Sequence, residues 1–159
     1  MSSVITGYEE AILKYNGRPF IKWRIVAVME LAKARGGSDR PLLSVVDDDE
    51  SVRESLPDLL REFGFAARAF SSADEFLSSD CLDQTSCLIL DIAMPGMSGP
   101  ELQRELKRRG REIPIIFITA STTKTVRPRL LEQGAVECLF KPFSDTALLE
   151  AVNSALHRK

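Results

Sequence analysis

The sequence has one histidine, His157, only two positions from its end. A Ser-His-Asp or Cys-His catalytic centre needs an imidazole base held firmly in a cleft, which a chain terminus does not offer, so hydrolysis of that kind is not expected. The three cysteines, Cys81, Cys87 and Cys138, are odd in number and widely spaced. They lack the paired CxxC spacing of a zinc site and suit a reducing compartment. No apolar run approaches the roughly 20 residues of a membrane span. Glu9, Glu10 and Lys14 interrupt the segment where an export signal would be apolar, so a cytoplasmic location is expected. There is no excess of positive charge either. Lys and Arg number 21 against 23 Asp and Glu, a formal net charge of −2, which does not favour binding to nucleic acid or an anionic membrane.

What is present is enough for one domain and an appendage. Hydrophobic residues make up 44% of the 159, sufficient for a continuous core. A turn-rich stretch, Gly36-Gly37-Ser38-Asp39-Arg40-Pro41, divides the chain into an extension at 1–40 and a domain at 41–159. The extension carries seven basic and four acidic residues, whereas the domain carries fourteen and nineteen. Within the extension, Phe20, Trp23, Val26, Ala27, Leu31 and Ala34 predict an amphipathic helix at 20–35. Three readings stand for it: packing on the domain, docking in a partner's apolar groove, or an upstream start codon, since Met29 precedes the linker.

From Leu42 onward, short apolar runs alternate with helical periodicity, the pattern of βαβ units around a parallel sheet. The predicted strands are 42–46, 66–70, 87–90, 115–118 and 136–140. The helices between them carry Val52, Leu56, Leu59 and Phe63; a short segment begun by Ser71 or Ser72; Leu102 and Leu106; Leu130 and Leu131; and finally Leu148, Leu149, Val152 and Leu156 behind a Ser144 cap. Gly64 and Gly134 end the first and fourth helices. Pro57 falls inside the first helix, where it removes a hydrogen bond and should kink the axis. Pro128 fits a first turn, which implies a long loop from Ala120 to Arg127 and a late start to the fourth helix.

In an open parallel sheet, ligands bind beyond the carboxyl ends of the strands. Val46 is followed by Asp47-Asp48-Asp49, Leu90 by Asp91, Ile118 by Thr119 and Phe140 by Lys141-Pro142. Four strands therefore deliver acids, a hydroxyl and a base to one rim. Crowded carboxylates repel unless a cation gathers them, and a hard oxygen site with open water positions suits Mg²⁺. Such an ion lets an anionic phosphoryl donor approach an anionic Asp91, and a carboxylate nucleophile yields an acyl phosphate. Thr119 and Lys141 are placed to bind phosphoryl oxygens. Asp49 alone reads as a helix cap, and the run Lys107-Arg108-Arg109-Gly110-Arg111 as the basic end of a helix rather than a nucleic-acid contact.

These strings, together with Asp91-Ile-Ala-Met94-Pro95-Gly96-Met97-Ser98-Gly99, Phe117-Ile118-Thr119-Ala120 and Phe140-Lys141-Pro142-Phe143, resemble response-regulator receiver domains of two-component signalling. The flavour is that of nitrogen-fixation-type transcriptional regulators, over residues 41–157. The resemblance implies a flavodoxin-like, doubly wound, five-stranded parallel sheet of order 2-1-3-4-5 flanked by five helices. It implies Asp91 as phosphoacceptor, with Asp48, Asp91 and the Ala93 backbone around Mg²⁺ and Asp47 assisting through water. It also implies Thr119 and Ala120 as switch and phosphate-binding positions, Lys141 as phosphate partner, and a cis peptide at Pro142. A sensor histidine kinase is the implied donor. No residues follow the fifth helix here, so action on a downstream protein in trans is expected, by a monomer or a phosphorylation-dependent homodimer. The domain is expected to catalyse only its own phosphorylation and dephosphorylation.

One departure stands out. The family usually carries an aromatic switch residue three positions before the lysine, and here that position is Cys138, which reads first as a buried thiol. It leaves open an alternative, a degenerate receiver acting as a phosphorylation-independent interaction module. A third reading takes Asp47-x-Asp49-x-Ser51 as the nucleophile motif of a haloacid-dehalogenase-type phosphatase. No further acidic pair follows Lys141, and Asp91-Ile-Ala-Met-Pro would then be unexplained.

Overall fold

A computed structural model describes residues 40–157, so the helix expected at 20–35 lies outside the described residues. Five strands and five helices alternate along them: β1 Leu42–Val46, α1 Glu50–Glu62, β2 Ala66–Phe70, α2 Ala73–Leu77, β3 Thr85–Asp91, α3 Gly99–Arg108, β4 Ile115–Thr119, α4 Val126–Glu132, β5 Glu137–Phe140 and α5 Asp145–His157. The strands form one parallel sheet of order β2-β1-β3-β4-β5. This is the doubly wound topology that the resemblance implied.

Strand periodicity splits the core in two. In β3, Cys87 and Ile89 face a layer that includes Leu56 and Leu60 of α1 and Leu148 and Val152 of α5. Leu88 and Leu90 face the opposite layer, with Phe76 of α2, Leu102 and Leu106 of α3 and Leu130 of α4. A strand covered on both sides has to be apolar throughout, which accounts for the unbroken run in the sequence.

Local chemistry fixes the element ends. Asp49 caps α1 by accepting from the Ser51 N–H, and Ser72 caps α2 through the Glu75 N–H. Ser98 and Glu101 form a reciprocal capping box on α3, with Pro100 in its first turn. Helix α1 runs unbroken through Pro57, whose ring is buried alongside Leu56 and Leu60.

Several boundaries differ from those expected. Helix α4 begins at Val126, so Pro128 is its third residue and the preceding loop ends at Thr125. A first-turn residue has no intrahelical acceptor for its N–H, and proline loses nothing there. Strand β3 is longer than its apolar core, extending from Thr85 to Asp91, and β5 starts one residue later than predicted, at Glu137. A 3₁₀ turn at Asp80–Asp83 has no counterpart in the sequence reading.

Leu60 is fully buried between α1 and the sheet. Truncation there leaves a cavity that rigid strands cannot close, so Leu60→Ala should lower unfolding free energy by about 2–5 kcal/mol, measured by urea denaturation.

Candidate functional site

The carboxyl ends of β1, β3, β4 and β5 meet at one rim. Asp47 follows β1 directly, and its N–H donates to the Phe70 carbonyl at 3.1 Å, which extends the β1–β2 ladder. Asp91 is the last residue of β3 and pairs with Ile118, so Thr119 is the next residue on the neighbouring strand. Lys141 follows β5, and its N–H donates to the Thr119 carbonyl at 2.8 Å. Backbone pairing thus brings the sequence-predicted residues together.

Asp47, Asp48 and Asp91 each offer a carboxylate oxygen, and these oxygens lie within 4.8 Å of one another. Asp47 is fully buried, Asp91 is 6% exposed, and Asp48 is open to solvent. The Lys141 ammonium donates to Asp47 Oδ2 at 2.7 Å and lies 3.7 Å from Asp91 Oδ1. Three carboxylates against one ammonium leave a formal −2, which a divalent cation would balance. All-oxygen donors with one open side fit Mg²⁺ in particular. Asp47 has both oxygens engaged, Oδ1 by the Asp49 N–H at 2.9 Å and Oδ2 by Lys141, which leaves Asp48 and Asp91 the freer ligands.

Electrostatics match this crowding. Burial and then the Asp47 charge push the Asp91 carboxyl up to about 7, with Asp48 adding to the rise and Lys141 opposing it. Burial works to lower the Lys141 ammonium, but the Asp47 hydrogen bond and the Asp91 charge outweigh it and hold the pKa above its ordinary value.

Thr119 is buried, and its hydroxyl oxygen accepts from the Ser121 N–H at 3.0 Å, leaving the hydroxyl proton available for another acceptor. Ala93 and Ala120 are exposed, two residues beyond Asp91 and one beyond Thr119. The Lys141-Pro142 peptide is cis. Cys138 is buried in the layer containing Leu130 of α4, where burial and then Glu137 raise its thiol pKa against the opposing charge of Arg127. A thiol kept protonated is inert, which agrees with the buried-thiol reading.

Two residues important to the geometry had not been singled out. Gly99 packs so tightly that a Cβ would strike the Asp91 carbonyl oxygen and stand 3.0 Å from Phe117 Cε1. Its N–H donates to the Ile92 carbonyl at 2.9 Å, closing the 92–99 loop beside the acceptor. Its place in the Met-x-Gly string was the available signal. Arg53 Nη1 donates to the Asp47 carbonyl at 3.0 Å, and no motif in the sequence pointed to it.

The competing motifs resolve as local structure. Asp49 accepts from both the N–H and the hydroxyl of Ser51, which hold its carboxyl below the usual range, so within Asp47-x-Asp49-x-Ser51 the Asp49 and Ser51 positions form a helix cap while Asp47 belongs to the rim. In the basic run, Arg108 and Arg109 pair with Glu105, Arg111 with Asp83, and Lys107 donates to the Gln133 carbonyl. No helix among the described residues is long and apolar enough to cross a membrane.

Comparison with known proteins gives a consistent result. Residues 43–153 match the response regulator receiver domain. Nodulation protein W of Bradyrhizobium diazoefficiens is 46% identical over 121 residues, covering 76% of this chain and 53% of that protein. The crystal structure of FixJ-N superposes with a TM-score of 0.68 at 35% identity, covering 76% of this chain and 97% of that one. The structure of the response regulator StyR also gives 0.68, at 47% identity, covering 74% and 59%. The chain spans about half the length of the curated relatives it matches.

The raised Asp91 pKa has a signed consequence. Its folded value, about 7, exceeds the ordinary 3.8, so ionisation opposes folding. The penalty accumulates as pH rises from about 4 and is complete above about 7. In metal-free buffer, Asp91→Asn should therefore melt above the wild type at pH 8, with the difference shrinking toward pH 5. At Gly99, substitution by alanine forces the Asp91 loop outward, and a loss of about 1–3 kcal/mol in unfolding free energy is expected by denaturant titration.

Proposed function

This chain belongs to the response regulator receiver domain family, and we propose that it acts as a phospho-acceptor switch in which Asp91 receives a phosphoryl group from a sensor histidine kinase. The observation that carries this reading is the convergence of Asp47, Asp48, Asp91 and Lys141 in one pocket with a formal charge of −2. Asp48, Asp91 and the Ala93 carbonyl would hold Mg²⁺, with Asp47 reaching it through water. When bound, the ion supplies neutralisation of the charge that gathers as an anionic donor meets the acceptor.

Asp91 Oδ attacks the phosphorus of a phosphohistidine. The new O–P bond forms as the P–N bond breaks, and the departing imidazole nitrogen keeps the electron pair and takes a proton. Lys141, 3.7 Å from Asp91, then pairs with one phosphoryl oxygen, while Thr119 donates its free hydroxyl proton to another and the Ala120 N–H assists. Drawing Thr119 inward remodels the face formed by α4, β5 and α5. The domain catalyses only its own phosphorylation and dephosphorylation. Its output is contact with a downstream protein in trans, in the cytoplasm, as a monomer or a phosphorylation-dependent homodimer.

Cys138 in place of an aromatic switch residue supports the second reading, a phosphorylation-independent interaction module. Beryllofluoride, which mimics a phosphoryl group on a carboxylate, separates the two: Mg²⁺-dependent binding supports the switch.

Incubation with acetyl phosphate and Mg²⁺ should produce a phosphorylated species by intact-mass spectrometry, lost with EDTA and absent from Asp91→Asn. Undiminished labelling of that variant would overturn the assignment of the acceptor.

A further inference from the structure

Arg53 lies near the start of α1, where the aligned peptide dipoles present positive charge and a cation is disfavoured. Its guanidinium turns back to the end of β1, and its only side-chain hydrogen bond among the described residues is Nη1 to the Asp47 carbonyl at 3.0 Å. The geometry points to Arg53 as a positioning residue for the cation pocket, holding the peptide that joins Asp47 to Asp48. The inference rests on the proposed Mg²⁺-dependent function.

The link between Arg53 and the cation pocket is the planarity of that peptide. Asp48 is exposed, so side-chain packing does little to aim its carboxylate. The peptide plane before it fixes its N–Cα bond, and with the Asp49 N–H tied to Asp47 Oδ1 on the far side the backbone sets where its Cβ points. That plane is pinned at one end by the Asp47 residue, whose N–H bonds Phe70 and whose carboxylate takes the Asp49 N–H and Lys141. Its carbonyl oxygen lies just past the end of β1, and Arg53 supplies the donor. Arg53 thus holds the backbone from which Asp48 projects.

Positioning and simple charge predict opposite signs. Removing a cation beside an acidic pocket should tighten Mg²⁺ binding if Arg53 acts only by its charge. Removing the donor that fixes the peptide should weaken it, by about tenfold or more. Calorimetric titration of Mg²⁺ into the metal-free full chain distinguishes them. Arg53→Met keeps the apolar stem and Arg53→Ala removes it. Both should bind Mg²⁺ at least about tenfold more weakly than wild type, while Arg53→Lys, which retains a donor, should recover most of the loss. Melting in EDTA identifies which variant is folded, and either folded variant suffices. Equal or tighter binding by a folded Met or Ala variant overturns the role given to Arg53 while leaving the pocket intact. A wild-type protein that takes up no Mg²⁺ overturns the pocket itself.

Discussion

Repulsion among three carboxylates whose oxygens lie within 4.8 Å is the constraint around which the rim is organised. In isolation such a cluster would splay apart or take up protons. Here Asp47 is locked at its N–H, its carbonyl and both carboxylate oxygens, so it cannot withdraw from the others. Lys141 offsets one charge, and burial together with the unrelieved Asp47 charge raises the Asp91 pKa. The pocket therefore opposes stability locally, and the two apolar layers beneath it hold it in place. A site built this way is sensitive to added charge of either sign, which is what the proposed switch requires.

The topology explains why the acids meet. From β1 the chain moves outward to β2, then crosses back to β3 on the other side of β1. The loops leaving β1 and β3 therefore turn in opposite directions, and a crevice opens between them, bounded by Asp47-Asp48 and Asp91. Phe117 completes the arrangement from below. Fully buried on β4, it sets the floor against which Gly99 packs, and only a residue without Cβ lets α3 start so near the Asp91 carbonyl.

The sequence made some of this legible and concealed the rest for physical reasons. Apolar runs marked the strands because both faces of the sheet are covered, yet they missed Thr85 and Asp91 at the ends of β3. Ladder hydrogen bonds belong to the backbone and continue past the last apolar side chain. The 3₁₀ turn at Asp80–Asp83 is too short to show a period. Pro128 suggested a later start for α4 than Val126, because proline is compatible with any first-turn position and cannot specify which. The acids, Thr119 and Lys141 could be read because each follows an apolar run directly. Arg53 and the Ser121 N–H could not, since a polar helix residue and a loop amide carry no pattern until the chain has folded back.

Helix α4 shows how a disturbance at Thr119 would spread through this scaffold. Its C-terminal end is tied to α3, where the Gln133 carbonyl accepts from Lys107 at 2.7 Å and from buried Gln103 at 3.3 Å. Near its start, the hold on β5 is the exposed Arg127–Glu137 ion pair at 2.8 Å, supplemented by apolar packing against the layer that contains Cys138. The Gln133 carbonyl takes two donors, one of them from a buried amide, whereas the exposed pair at Arg127 contributes about 0.2–1 kcal/mol. The end of α4 that continues from the Thr119 loop is thus the more weakly held by polar contacts. Cys138 beneath the helix offers a smaller obstacle than an aromatic ring would. In the proposed switch, displacement therefore enters α4 at Val126 and diminishes toward Gln133, with no aromatic side chain at position 138 needed to carry it.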